Sequence, residues 1–171
     1  MGVDFATEVN IAMWLLAQDE RTIFVGQSLR YDGAAIYYSL EGVPMNKRVE
    51  FPVAENLQLG YCIGRSLIGK IPVCIFPRMD FLLHAMDQLV NHLDKLPTFG
   101  WRPKVILRTR VGQKQPLNAG PQHTQNHVEA FRRMLTTVKV VELREASQVV
   151  PLYKEALTHP GSWLLVENPH V

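Results

Sequence analysis

The stretch FPVAENLQLGYCIG, residues 51–64, decides the fold. Pro52 cannot continue a helix from upstream, so the spacing predicts a new helix beginning at about Val53. Leu57, Leu59, Tyr61, Cys62 and Ile63, with Gly60 and Gly64 between them, make this helix apolar on nearly every side. That is the pattern of a buried helix rather than an amphipathic one. Its single acid, Glu55, lies in the first turn, where the helix dipole favours negative charge. Burial works the other way and raises a carboxyl pKa by disfavouring the charged form. Glu55 therefore fits two roles, a proton-sharing group facing a ligand or a residue that merely caps the helix. Taken alone, the cap is the simpler of the two.

Outward from this segment, short apolar strands alternate with helical stretches. Upstream, Val9, Ala12, Met13 and Leu16 give Glu8–Ala17 a helical period, and a strand follows at Thr22–Val25. A long loop from Gly26 to about Val49 carries the turn signal Tyr31-Asp32-Gly33. Downstream, a strand at Ile71–Phe76 is entered through Pro72, which a strand start tolerates. Met79–Leu96 reads as one long helix with Leu82, Leu83, Met86, Leu89, Val90 and Leu93 on one side. A strand at Lys104–Arg108 leads into a polar loop bearing Gly and Pro. Helices near Val128–Leu135 and Ala146–Leu157 then alternate with strands at Val138–Leu143 and Ser162–Glu167.

This alternation predicts an α/β fold with three layers, α/β/α, around a mainly parallel twisted sheet. Ligands of such sheets lie at the carboxyl ends of the strands, which here display the loops Gly26–Val49, Pro77–Asp80 and Thr109–Gln125. No internal repeat or linker marks a second domain.

Composition narrows the function classes. A chain of 171 residues is one domain with a real core, and 47% hydrophobic with 20% charged residues is the balance of a soluble globular protein. The net charge of +2 and scattered basic residues, paired only at Lys47-Arg48 and Arg132-Arg133, argue against nucleic acid. Cys62 and Cys74 both sit in apolar surroundings, as reduced, buried thiols do. No run of about 20 apolar residues provides a membrane span. The acidic N-terminus lacks a secretory pattern, and Ala6 stands where a myristoylation signal needs Ser or Thr. These features predict a cytoplasmic protein.

Several familiar chemistries are missing. There is no GxGxxG, no GxxxxGK[ST] and no GxSxG. His123 and His127 have the spacing of a zinc pair, but the glutamate of HExxH is absent and no cysteine completes a site, so no metal is expected on this chain. His84 and His92 read as surface or core-edge residues of the long helix. What remains is one carboxylate (Glu55), one aromatic face (Phe81) and one imidazole (His123), all expected at the same edge of the sheet. Together they suit a flat, nitrogen-bearing ring and a proton transfer. Each alone also fits a purely structural role, core packing in the case of Phe81.

The run from Glu50 to Asn91 resembles the beta subunit of thiamine-diphosphate-dependent 2-oxoacid dehydrogenases and, more broadly, the pyrimidine-binding domain of transketolase-like enzymes. The motifs are Ala54-Glu55-Asn56, Gly60/Gly64, Asp80-Phe81 and Asp87-Gln88-Leu89-Val90-Asn91. Tyr31-Asp32-Gly33, Arg108-Thr109, His123-Thr124-Gln125, Lys139-Val140-Val141 and Val166-Glu167-Asn168 extend it along the whole chain in the family's order. The resemblance implies that Glu55 shares a proton with the pyrimidine ring of thiamine diphosphate, favouring the imino form that removes the thiazolium proton. It implies that Phe81 stacks on the aminopyrimidine, that Met79 joins Glu55 and Phe81 in binding the cofactor, and that His123 contacts the substrate. With an ordinary pKa of about 6.5, a histidine suits that work.

The departures carry information of their own. Gln27 stands where the family has an acid associated with communication between paired active sites, and the loop Thr109–Pro121 has fewer glycines. The family's Gly-Asp-Gly, which binds diphosphate and metal, is absent, since Asp32-Gly33 follows Tyr31. The resemblance thus implies a single pyrimidine-binding domain over residues 1–171, with neither the diphosphate-binding domain nor the C-terminal domain. An alpha-like partner would hold the diphosphate and Mg2+, in a heterotetramer with the cofactor at the interface. The implied chemistry is attack on a 2-oxoacid or ketose carbonyl, with acyl transfer or transketolase-like carboligation. The alternative is a regulatory or assembly subunit that keeps the fold without turnover.

Overall fold

The computed structural model describes residues 4–113 and 118–169. Residues 114–117 of the polar loop lie outside that range. The centre is a sheet of six strands: β1 (Thr22–Gly26), β2 (Arg48–Glu50), β3 (Ile71–Ile75), β4 (Ile106–Arg110), β5 (Lys139–Leu143) and β6 (Trp163–Glu167). Their spatial order is β2-β1-β3-β4-β6-β5, and every adjacent pair is parallel. The inner strands are mostly apolar, as a sheet covered on both faces requires, with charge gathered at the carboxyl ends of β4 (Arg108, Arg110) and β6 (Glu167); β3 and β6 are buried at every residue.

The helices form the two outer layers. On one face lie α3 (Glu55–Leu67), α4 (Met79–Leu82) with its distorted continuation, and α5 (Val128–Met134), sharing a core of Leu59, Cys62, Leu82, Leu89, Leu107 and Phe131. On the other lie α1 (Phe5–Leu16) and α6 (Ala146–Thr158), packed on Phe24, Val73, Ile106 and Leu165. The short α2 (Ala35–Tyr38) joins this second layer through Ile36. Order reverses between β1 and β3, because the chain leaves β1 toward β2 and returns on its other side. The crevice at their carboxyl ends is where sheets of this kind take ligands.

Four sequence expectations change. First, α3 begins at Glu55, and it is amphipathic: Leu57 is 62% exposed, and Asn56, Gly64, Leu67 and Ile68 also face out. Only the face bearing Gln58, Leu59, Cys62, Ile63 and Ser66 is buried. Second, the loop Gly26–Val49 holds α2, a 3-10 turn at Met45–Lys47 and the edge strand β2. Third, the long helix is a series: α4, a 3-10 turn at Leu83–Ala85, a π-helical stretch at Asp87–Leu93 and another 3-10 turn at Leu96–Phe99. Fourth, β4 starts two residues later than expected. Lys104 directs its ammonium to the carbonyls of Ala156 and His159 at the end of α6, and only from Ile106 does the chain pair with Val73.

Both cysteines are free and buried, as expected. Cys62 lies against Cys74, and burial, with that thiol contact, pushes the Cys62 thiol well above its ordinary pKa. No helix among the described residues is long and apolar enough to cross a membrane.

Candidate active site at the carboxyl edge of the sheet

Glu55 opens α3, yet it does not cap it. The residue before the first turn is Ala54, and no side chain accepts a hydrogen bond there. The Glu55 carboxylate, 9% exposed, instead accepts from Nε2 of Gln27 at 3.3 Å and from no other described residue. Gln27 follows β1 directly, so the contact joins the ends of two neighbouring segments that are 28 residues apart. The geometry removes the cap as an explanation of Glu55.

Gln27 is held by its own loop. Glu50, the last residue of β2, accepts the backbone N–H groups of Ser28 (2.6 Å), Leu29 (2.8 Å) and Arg30 (3.0 Å). Ser28 has φ +59°, the one described non-glycine residue in the left-handed region, and the carboxylate fixes it there. Gly26 lets the turn close: a Cβ at that position would stand 2.7 Å from the Ile75 carbonyl oxygen of β3.

Phe81 and His123 meet over the β3–β4 side of the same edge, their ring centroids 5.4 Å apart and their planes at 89°. Two contacts brace this pair. Asp80 Oδ1 accepts Nε2 (2.9 Å) and the backbone N–H (3.4 Å) of Gln125, and Met79 Sδ receives the His127 N–H at 3.1 Å. Met79 is fully buried, so it backs the site from beneath. Gly112 completes the brace, since its Cα passes so close to the His123 carbonyl that a Cβ would lie 1.6 Å from the oxygen. Asp80 Oδ2 and His127 Nε2 are buried and have no hydrogen-bond partner among the described residues, unusual for interior polar atoms.

The sequence-selected residues thus form two pairs at one edge of one layer, Glu55 with Gln27 and Phe81 with His123; no described contact joins the pairs. Sequence reasoning chose Glu55, Phe81 and His123 but gave no structural part to Asp80, Gln125 or Glu50. A polar residue one or two positions from a candidate aromatic or imidazole was the available signal for the first two. Nothing local marks Glu50.

No protein-family model matches the chain. In sequence it is similar to the pyruvate dehydrogenase E1 component subunit beta of Drosophila melanogaster, 27% identical over 159 residues, covering 90% of this chain and 43% of that protein. The same subunit of Rattus norvegicus is 26% identical over 159 residues, with 90% and 44% covered. That of Chaetomium thermophilum is 27% identical over 121 residues, with 70% and 31% covered. The chain therefore spans less than half the length of these relatives. Among solved structures, a split gene transketolase described as an inactive beta4 tetramer superposes with a TM-score of 0.76 and 18% identity, over 99% of this chain and 52% of that one. The chain is accordingly a sequence relative of pyruvate dehydrogenase E1 beta subunits, built on the three-layer fold of a split transketolase.

Proposed function

We propose that the chain is the beta-like, pyrimidine-binding component of a split thiamine-diphosphate enzyme, acting on a 2-oxoacid or ketose carbonyl. The observation that carries this reading is Glu55: a nearly buried carboxylate, excluded from capping, with one neutral partner, at the edge of the sheet where ligands bind. Its relatives' identity as E1 beta subunits supports it. The residues fit the cofactor's ring, since Glu55 keeps acceptor capacity for a ring N–H and Phe81 is only half-buried.

Thiamine diphosphate, when bound, supplies the electron sink for carbonyl chemistry. Glu55 holds a proton at the pyrimidine nitrogen, in a setting dry enough to make that hydrogen bond strong. Phe81 offers an aromatic surface to the ring, and His123, fixed at its edge, is the acid–base group toward substrate. Met79 and the Asp80–Gln125 link keep these two in place. The diphosphate and Mg2+ belong to an alpha-like partner, because the chain has no Gly-Asp-Gly. The outward face of α3, with Leu57, Gly64 and Leu67 exposed, offers an apolar surface for a heterotetramer.

Gln27 favours a second reading, an assembly subunit without turnover, because the acid usual in the family is replaced by an amide. Co-expression with the alpha-like chain separates the two. Glu55→Gln should lower thiamine-dependent activity by about 100-fold or more. Unchanged activity would sink the catalytic reading, and tight cofactor binding by this chain alone would sink the shared site.

A further inference from the structure

A cavity that Phe81 and His123 do not line carries a charge pattern that the cofactor reading does not use. Its volume is about 230 Å³, and Ser28, Ala34, Ala35, Ile36, Ser39, Pro77, Arg78, Arg108 and Arg110 line it. These residues come from the segment after β1, the turn after β3 and the end of β4. The segment after β1 leaves toward the α1/α6 layer, through Ile36. The turn after β3 leaves toward the α3 layer, through Met79 and Leu82. The cavity fills the space between them, at the point where strand order reverses.

Among the described residues its charged lining is three guanidinium groups and no carboxylate. Arg108 is buried and committed to protein partners: Nε donates to Glu167 Oε1 at 2.6 Å and Nη1 to Ser39 Oγ at 2.8 Å. Glu167 also accepts from the Tyr153 hydroxyl at 3.1 Å, so its charge is already shared within the wall. Arg78 is half-buried; its carbonyl accepts the Phe81 N–H, and its guanidinium makes no hydrogen bond or ion pair with a described residue. Burial pushes the pKa of Arg110 down; Glu167 opposes this, while Arg78 and Arg108 add to it by repulsion. Three guanidinium groups thus face one concave surface, where a negative charge that entered would offset their mutual repulsion.

We propose that this cavity binds a small oxyanion, a carboxylate or a phosphate group, with Arg78 as its open guanidinium and the Ser28 hydroxyl beside it. A guanidinium presents two parallel N–H groups that match two oxygens of either anion. The volume suits a small acid or a phosphate-bearing fragment and is too small for a nucleotide. The inference stands independently of the thiamine reading, because it concerns other residues and needs no partner chain.

Calorimetric titration of the purified chain at low ionic strength tests it, with inorganic phosphate and pyruvate as separate probes and sodium chloride as the control. Saturable 1:1 binding is expected for at least one probe, with none for chloride at equal concentration. The tighter probe identifies the oxyanion. Arg78→Gln should weaken that binding by about tenfold or more, the effect of losing one charged hydrogen-bonding group. Arg78→Lys, which keeps charge without the fork, should fall between. Because the Arg78 guanidinium bonds no described residue, both variants should melt as the parent does, which guards against a folding artefact. Heats that never saturate, or binding unchanged in Arg78→Gln, would overturn the proposal.

Discussion

Gln27 and Glu55 touch through a single hydrogen bond of 3.3 Å, and that contact couples the end of β1 to the head of α3. An amide here leaves Glu55 as the only acid of the pair. Gln27→Glu would place two carboxylates within contact distance, where both cannot ionise together. The proton they share raises the folded-state pKa above the unfolded value of about 4.3. Stability would then be present below that value and lost as pH rises through the folded pKa. Melting temperatures relative to the parent should fall between pH 5 and pH 8. A difference that does not change with pH would mean the two side chains are not in contact.

Asp94 illustrates the opposite sign. Desolvation would raise its pKa, but it is outweighed by Lys95 and by the Thr137 and Val138 N–H groups and Thr136, which hold the carboxyl well below the usual range. Its contribution is therefore present above the unfolded pKa of about 3.9 and lost as pH falls below it. Asp94→Ala should cost about 3 kcal/mol at neutral pH, because it leaves the N–H groups of Thr136, Thr137 and the buried Val138 without an acceptor. Denaturant melts at pH 7 and pH 3 check this, and the gap between parent and variant should narrow at pH 3.

Gly112 tolerates no side chain. With a Cβ 1.6 Å from the His123 carbonyl oxygen, Gly112→Ala must push the two segments apart. The expected result is a loss of about 2 kcal/mol or more, together with displacement of the His123 ring from Phe81. Amide and ring proton shifts of His123 report the second effect. Unchanged shifts would show that the crossing is looser than described.

Arg108 and Glu167 are both buried, so removing one should cost more than removing both. Arg108→Met strands the Glu167 charge and should destabilise by about 3–5 kcal/mol. The double variant Arg108→Met/Glu167→Leu should recover part of that loss. A double-mutant cycle by chemical denaturation measures the coupling, and simple additivity would contradict it.

The inner strands β1, β3 and β6 were legible because burial leaves an apolar run that few other arrangements explain, whereas β4, which passes from Ile106-Leu107 into Arg108-Thr109-Arg110, was placed two residues early. β2 was not, because it is three residues long and bonds only to β1. The apolar stripe at Leu82, Ala85, Leu89 and Leu93 reads equally well as a regular helix or as one widened by a π-helical stretch, so periodicity alone could not find the break. In α3 the count of apolar residues misled, because Leu57 and Leu67 belong to its open face. The chemistry of Glu55, Phe81 and His123 was visible residue by residue. Their pairing was not, since it depends on a carboxylate from β2 and on a loop whose closure rests on one glycine.

The three N–H groups gathered by Glu50 separate two jobs within one connection. The bond network fixes Ser28–Arg30 from the β2 side, and the Arg48 guanidinium clasps the carbonyls of Leu29, Leu40 and Val43. The exposed tip at Tyr31-Asp32-Gly33 lies between these two clamps and carries no part of either. Residues inserted at that tip would lengthen the surface without transmitting a change of shape to Gln27. The edge that presents Glu55 is thus insulated from the exposed tip beside it, which makes the tip the natural place for a label or a graft.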